Sequence, residues 1–172
     1  MPRDPVVVDT NVPLMANGKG PLSRACRAAS ARALRGVMEK STLVLDSGYR
    51  ILTEYGKKLS HRGQPGPGDA FLKWVLTNRA NPERCTQIPI TATPNGSFEE
   101  FPDHPGLASF DEDDHKFLAV AHAHPGSPEV LQATDTKWWG FRATFAEAGI
   151  EVRFLCPEEI SERYEAKFGS TT

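Results

Sequence analysis

The chain is predicted to adopt an α/β fold, a three-layer α/β/α sandwich around a mostly parallel, doubly wound sheet. Three observations carry this. Val6-Val7-Val8, Leu43-Val44-Leu45 and Val130-Leu131 are short apolar runs, of the kind that strands buried on both faces require, and Ile150–Leu155 reads as a further strand. Stretches with helical spacing separate them, in the order β-α-β-α-α-β-α-β-α-β-α. Two of the runs lead into an aspartate, Asp9 and Asp135. In open α/β sheets ligands bind beyond the carboxyl ends of the strands.

The elements follow in order. Val6–Val8 runs into Asp9-Thr10-Asn11, and 13–21 reads as a loop holding Gly18 and Gly20. Residues 22–38 are rich in Ala and Arg, both good helix formers. After the strand at 43–45, Asp46 or Ser47 caps a helix over 48–59. Its stripe is Ile51, Leu52, Tyr55 and Leu59, and Glu54 falls just outside that stripe, near the core edge. Residues 61–68 read as a loop, and Asp69 caps a helix through Arg79. Pro89 restricts 86–93 to an edge strand or an extended segment, and 94–106 reads as a surface loop. Ser109 and Glu112 match a capping box for a helix over 113–123 with Phe117, Leu118 and Ala121 inward. A strand from Val130 ends at Asp135, a helix covers 137–148, and Gly149 closes it. A last strand and a helix from Pro157 follow. The whole of 1–172 reads as one domain with a loop-rich middle at 61–109.

Composition sets bounds. At 172 residues the chain can bury a real core, and 39% hydrophobic with 24% charged residues reads as soluble and globular. No run reaches the ~20 apolar residues of a membrane span, and the start offers no secretory signal, so a cytoplasmic location is expected. Cys26, Cys85 and Cys156 are odd in number and far apart, which reads as free thiols in a reducing compartment with neither a disulfide nor a zinc framework. Net charge is only −2, but its distribution is uneven. Lys19, Arg24, Arg27, Arg32, Arg35, Lys40, Arg50, Lys57, Lys58 and Arg62 crowd one stretch, while every charge from Glu99 to Asp114 is acidic. That asymmetry suits a phosphate-tracking surface beside a metal site.

Four carboxylates occupy suggestive places. Asp9 and Asp135 end strands, Asp114 begins a helix on its buried side, and Glu54 lies at a core edge. Packed carboxylates raise one another's pKa, so a cluster that stays ionised needs a cation, and an all-oxygen set selects Mg²⁺ or Mn²⁺. Such a site suits phosphodiester hydrolysis.

The stretches Val-Val-Val-Asp9-Thr-Asn11, Leu-Asp-Ser47-Gly-Tyr-Arg-Ile-Leu-Thr-Glu54, Asp114-His-Lys-Phe-Leu-Ala-Val-Ala and Ala-Thr134-Asp135-Thr-Lys-Trp138 come in that order. With them, and with the tail Gly149-Ile-Glu-Val-Arg-Phe-Leu-Cys-Pro-Glu-Glu-Ile160, the chain resembles PIN-domain ribonucleases, VapC-like toxins among them. The resemblance implies a metal-dependent endoribonuclease with Asp9, Glu54, Asp114 and Asp135 as its catalytic, metal-binding acids. Asn11 and Thr134 would orient the site. Independently of the resemblance, Lys116 and Lys137 lie next to site acids, where they could contact phosphate. RNA, a second copy of the chain and a cognate antitoxin are the implied partners. The chain departs from the family in its long Pro/Gly-rich middle, and Thr134 directly precedes Asp135 where the family often has one residue between. In Asp111-Glu112-Asp113-Asp114, helical phase turns Glu112 outward and Asp113 and Asp114 inward, with Asp111 at the margin. Asp114 is the choice, and Asp111 and Asp113 are reserves.

Other candidates carry less. His122 and His124 point roughly 200° apart on a helix and cannot share an ion. His115 reads as facing solvent, and of Trp138 and Trp139 one packs inward while the other is partly exposed. Two rivals stand beside the nuclease: a non-catalytic PIN-like module that binds RNA or protein, and a phosphatase of another α/β fold.

Overall fold

Val6, Val7 and Val8 are buried at the end of β1 (Asp4–Val8), the middle strand of a five-stranded sheet in which every pairing is parallel. A computed structural model describes residues 3–62 and 66–169; part of the loop expected at 61–68 lies outside the described residues. The other strands are β2 (Ser41–Asp46), β3 (Cys85–Ile88), β4 (Glu129–Gln132) and β5 (Val152–Phe154), in the spatial order β3-β2-β1-β4-β5. The chain winds outward from β1 to β3, then returns to pair β4 with the other side of β1. Val6 pairs with Leu43 of β2 and with Glu129 of β4. The winding reverses between β1 and β4, the position where a doubly wound sheet opens a crevice. Asp9 stands at that point.

The expected α/β/α architecture is present. On one face α1 (Asn11–Ala16), α2 (Arg24–Lys40) and α4 (Pro67–Asn78) pack against one another, while α3 (Arg50–Lys58) touches α4 and α5 (His115–Ala123). α5 lies across β1, β2 and β4. The chain closes with α6 (Thr136–Gly140), α7 (Arg142–Glu147) and α8 (Pro157–Phe168). Buried side chains of β1 to β4 join one hydrophobic cluster with the helices. Both faces of β1 are covered, which is why its sequence is a continuous apolar run rather than an alternation.

Several boundaries differ from the sequence reading, each for a local reason. The loop expected at 13–21 begins with a short helix, α1, because Pro13 lies in its first turn, where its missing N–H costs nothing. The α4 helix starts two residues before Asp69, which is its third residue and not its cap: Oδ2 accepts the Gly66 N–H at 3.2 Å. Ser109 does not cap. Asp111 does, accepting the Asp113 N–H at 3.0 Å, and 112–114 form a 3₁₀ turn before α5 begins. The helix expected at 137–148 breaks at Phe141 into α6 and α7. β4 stops at Gln132, so Asp135 lies three residues beyond the strand rather than at its end. β3 is the expected edge strand and ends just before Pro89; Ala92 then bridges Phe98 in a small antiparallel turn.

The thiol expectation is corrected for two of the three cysteines. Cys26, in the first turn of α2, is disulfide-bonded to Cys156, which precedes α8, across 130 residues of sequence, with Cα atoms 5.6 Å apart. Cys85 is free and buried. Spacing cannot show a bridge that exists only because the starts of α2 and α8 meet. The Glu159 carboxylate reinforces that junction by accepting from Ser23 N (2.9 Å) and Ser23 Oγ (2.8 Å). The reducing compartment inferred from three free thiols loses that support. No helix among the described residues is long and apolar enough to cross a membrane.

A cross-link over so long a loop restricts the unfolded chain strongly. Reduction with dithiothreitol, or Cys156→Ser, is expected to cost about 3–5 kcal/mol, seen as a lower urea midpoint, with m rising because the released denatured chain exposes more surface. Three titratable thiols in the unreduced, denatured chain would show that the bridge does not form.

Candidate metal centre at the carboxyl edge of the sheet

The site begins where β1 runs out. Asp9 still donates its N–H to Leu131 O of β4 (3.1 Å) and is only 4% exposed. Its Oδ2 accepts the Asn11 N–H at 3.0 Å and its carbonyl accepts the Val12 N–H at 3.0 Å. Asp9 therefore serves the start of α1 while its side chain lies at the switch point. The preceding residue is pinned from the other side: the wholly buried Tyr55 hydroxyl donates to Val8 O at 2.5 Å. Burial, with Asp9 and Glu54 adding to it, pushes that hydroxyl's pKa well up and keeps it a donor.

The acids expected to meet do share one neighbourhood. Burial drives the Asp9 pKa well above the ordinary carboxylate range, and Asp114, Glu54 and Asp135 add to it while the Asn11 N–H opposes. Burial raises Asp114 to about 6, with Asp135 and Asp111 adding; Trp138 Nε1, donating to its Oδ2 at 3.1 Å, and the Lys116 ammonium pull the other way. Asp135 is raised chiefly by burial, against the Lys137 N–H, which donates to its Oδ1 at 2.9 Å.

Glu54 stands apart. Its carboxylate accepts the Lys116 ammonium at 2.9 Å and the Thr10 hydroxyl. Its charge is compensated within the chain: Lys116 is its ion-pair partner and also donates to Asp113 O.

Two amide side chains set the loop that carries Asp135. Asn11 Oδ1 accepts the N–H groups of Ala133 (3.2 Å) and Thr134 (3.3 Å), so one residue ties β1 to the end of β4. Thr134 thus enters through its backbone. Gln132 Oε1, fully buried, accepts from Ala133 N (3.0 Å) and Asp135 N (3.3 Å). Sequence reading missed Gln132, Thr10 and the Trp138 contact. Only the last left a signal: a buried Trp N–H needs an acceptor.

The acidic run is also settled. Asp111, Glu112 and Asp113 are exposed, while Asp114 is half-buried. The inward phase expected for Asp113 fails because the segment is a 3₁₀ turn, where side chains repeat every three residues. Asp111, not Asp113, is the reserve that lies close to the site. His115 is corrected as well. It is 7% exposed, stacks on Phe101 at 3.9 Å, donates Nε2–H to Phe110 O (3.0 Å) and takes the Ser97 hydroxyl at Nδ1 (2.7 Å). Trp138 packs inward and Trp139 is half-exposed beneath Arg142, as expected.

The donor set suits a hard divalent cation. Asp9, Asp114 and Asp135 are close enough to oppose one another's ionisation, and no ammonium or guanidinium is bonded to any of them among the described residues. Among those residues no three carboxylates have oxygens all within 4.8 Å of one another. The arrangement therefore fits an ion that keeps part of its water shell, as Mg²⁺ does, better than a dry cage. The one tight group, Cys26, Cys156 and Glu159, has its sulfurs spent in the disulfide.

The basic stretch does not form a single surface. All ten of its Lys and Arg residues are exposed. Arg50, Lys57 and Lys58 line a groove of about 400 Å³ with Glu54 and Lys116. Arg32 and Lys40 line another at the opposite, amino-terminal end of the strands, beside Val6 and Ser41. Only the first group can serve the acids.

No protein-family model, curated protein or solved structure matches the chain.

Two outcomes follow. Asp114 titrates near 6 in the fold and near 3.9 when unfolded, so the native chain holds that proton more tightly. Its contribution to stability falls as pH rises from about 4 to 6, and the full penalty stands above that window. In EDTA at pH 7, Asp114→Asn is expected to melt about 2–4 °C higher than the parent, with the gap closing by pH 4. Asn11→Ala leaves the partly buried Thr134 N–H without its acceptor, while Ala133 N–H keeps Gln132 Oε1, and is expected to cost about 1–3 kcal/mol in urea unfolding.

Proposed function

We propose that this chain is a Mg²⁺- or Mn²⁺-dependent endoribonuclease of the PIN type, hydrolysing phosphodiester bonds in RNA. The observation that carries the reading is the placement of the buried Asp9 and the half-buried Asp114 and Asp135 at the topological switch point, with no ammonium or guanidinium bonded to any of them among the described residues. A bound divalent ion would lower the pKa of a water and offset charge on the phosphate as it is attacked. Asp9, Asp114 and Asp135 would hold it. Glu54, fixed by Lys116 and Thr10, supplies negative charge at the margin and orients water. Arg50, Lys57 and Lys58 attract the RNA backbone beside it. Asn11 and Gln132 keep Asp135 in register with Asp9 through the Ala133–Asp135 backbone.

The resemblance extends the reading to the toxin of a toxin–antitoxin pair, acting as a homodimer in the cytoplasm; the Cys26–Cys156 bridge is the feature that sits least easily with a reducing compartment. The second reading is a PIN-like module that binds RNA or protein without turnover. It draws on the spread of the carboxylates beyond 4.8 Å.

Asp9→Asn decides between them. It is expected to lower Mn²⁺-dependent cleavage of single-stranded RNA by about 100-fold or more while leaving the circular dichroism spectrum unchanged. Parent protein that binds RNA and cleaves none in Mn²⁺ would establish the binding module instead. Turnover of small phosphomonoesters without RNA cleavage would point to a phosphatase.

A further inference from the structure

We infer that the pocket beside Asp114 is a subsite for one unstacked nucleobase of single-stranded RNA, adjoining the phosphate at the acids. This rests on the ribonuclease reading above and adds to it a place for the base.

The pocket has a volume of about 520 Å³, within the ~300–1,000 Å³ range of small-ligand sites. Asp114 is part of its wall, so the pocket adjoins the acid cluster through that residue. Its other walls are aromatic: Phe141, and Tyr164 with Phe168 from α8. The last two rings are 5.0 Å apart, and Phe168 is 53% exposed. A large aromatic left half in water beside a polar cleft suits a flat partner that stacks. Gly140 keeps that wall close. A Cβ there would lie 2.9 Å from Tyr164 Cε2 and 3.1 Å from its hydroxyl, so any side chain would push the ring away.

The polar groups select among occupants. Asp111 and Asp114 line the pocket, and carboxylates repel a phosphate but accept N–H donors. Lys137, on the same wall, is the cation for the neighbouring phosphate. Each carboxylate has one donor within the chain, Trp138 Nε1 on Asp114 and the Asp113 N–H on Asp111, and a purely apolar peptide face would cover their remaining acceptor sites without offering a further one. A nucleobase presents a π-face to Tyr164 and Phe168 and, in adenine, cytosine and guanine, an exocyclic amino group to the acids. Bases with that group are therefore preferred over uracil.

The test is equilibrium binding of fluorescein-labelled single-stranded oligo(A) and oligo(U) to the full chain in EDTA, followed by Mn²⁺-dependent cleavage of the same RNAs. The subsite requires oligo(A) to bind more tightly than oligo(U). It also requires Phe168→Ala to raise the oligo(A) Kd by about 10-fold without changing the melting temperature, and Phe168→Trp to restore it. Gly140→Ala should weaken binding in the same direction. Cleavage by the parent with an unchanged Kd in Phe168→Ala would overturn the subsite and leave the ribonuclease standing. A parent that neither binds nor cleaves RNA would overturn both. A loss of dimer in Phe168→Ala with unchanged Kd would make this face a contact between copies and overturn the subsite.

Discussion

The constraint on which the rest depends is the carboxylate of Asp9, held almost out of water at the end of a strand covered on both faces. An ionised group in that position costs several kcal/mol unless it is paired. The chain gives it one backbone N–H, from Asn11, and surrounds it with three further acids. Such an arrangement is unfavourable by itself. It is tolerated because the sheet and helices around it are over-determined: β1 is laddered on both sides, Tyr55 anchors Val8, and α5 packs across the strands. Stability stored in the apolar core holds the polar edge in a state it would not adopt alone.

The supporting interactions have a division of labour. Lys116 and Thr10 satisfy Glu54, so this acid is a fixed part of the scaffold. Trp138 reaches Asp114 from α6, and Asp135 caps that same helix. Asn11 and Gln132 join the two strand ends through the Ala133–Asp135 backbone and so fix where Asp135 stands relative to Asp9. Charge outside the site is sorted by the fold. Arg50, Lys57 and Lys58 ride on α3 beside Glu54, whereas Arg32 and Lys40 are carried to the far end of the sheet. An apparently continuous basic stretch is split because α2 runs the length of the sheet between the ends of β1 and β2.

The pocket that opens from Asp114 fits the same logic. Its aromatic wall comes from α8, the last helix, whose start is fastened to α2 by the disulfide and by Glu159. Asp9 and the α8 side of the pocket thus come from opposite ends of the chain. The closing segment of the protein shapes the approach to a site whose centre is laid down by its ninth residue.

Much of this was legible in the residues. Apolar runs bounded by helical stretches specify a buried parallel sheet, because only strands covered on both faces read that way. Asp9 at a strand end, Asp114 at a helix start and Glu54 near a core edge follow from periodicity, which is a local property. What the sequence could not determine is non-local. The meeting of Cys26 and Cys156, the Lys116–Glu54 pair and the Asn11 link to Ala133 join residues 130, 62 and 122 positions apart. The 3₁₀ turn at 112–114, which sends Asp113 outward, depends on how the chain enters α5. Local spacing determined which acids were available and on which elements they ride. Only the tertiary packing decided which of them face one another and which is neutralised by a lysine. The reason is physical: electrostatic coupling depends on distance in space, and helical phase fixes direction only within its own element.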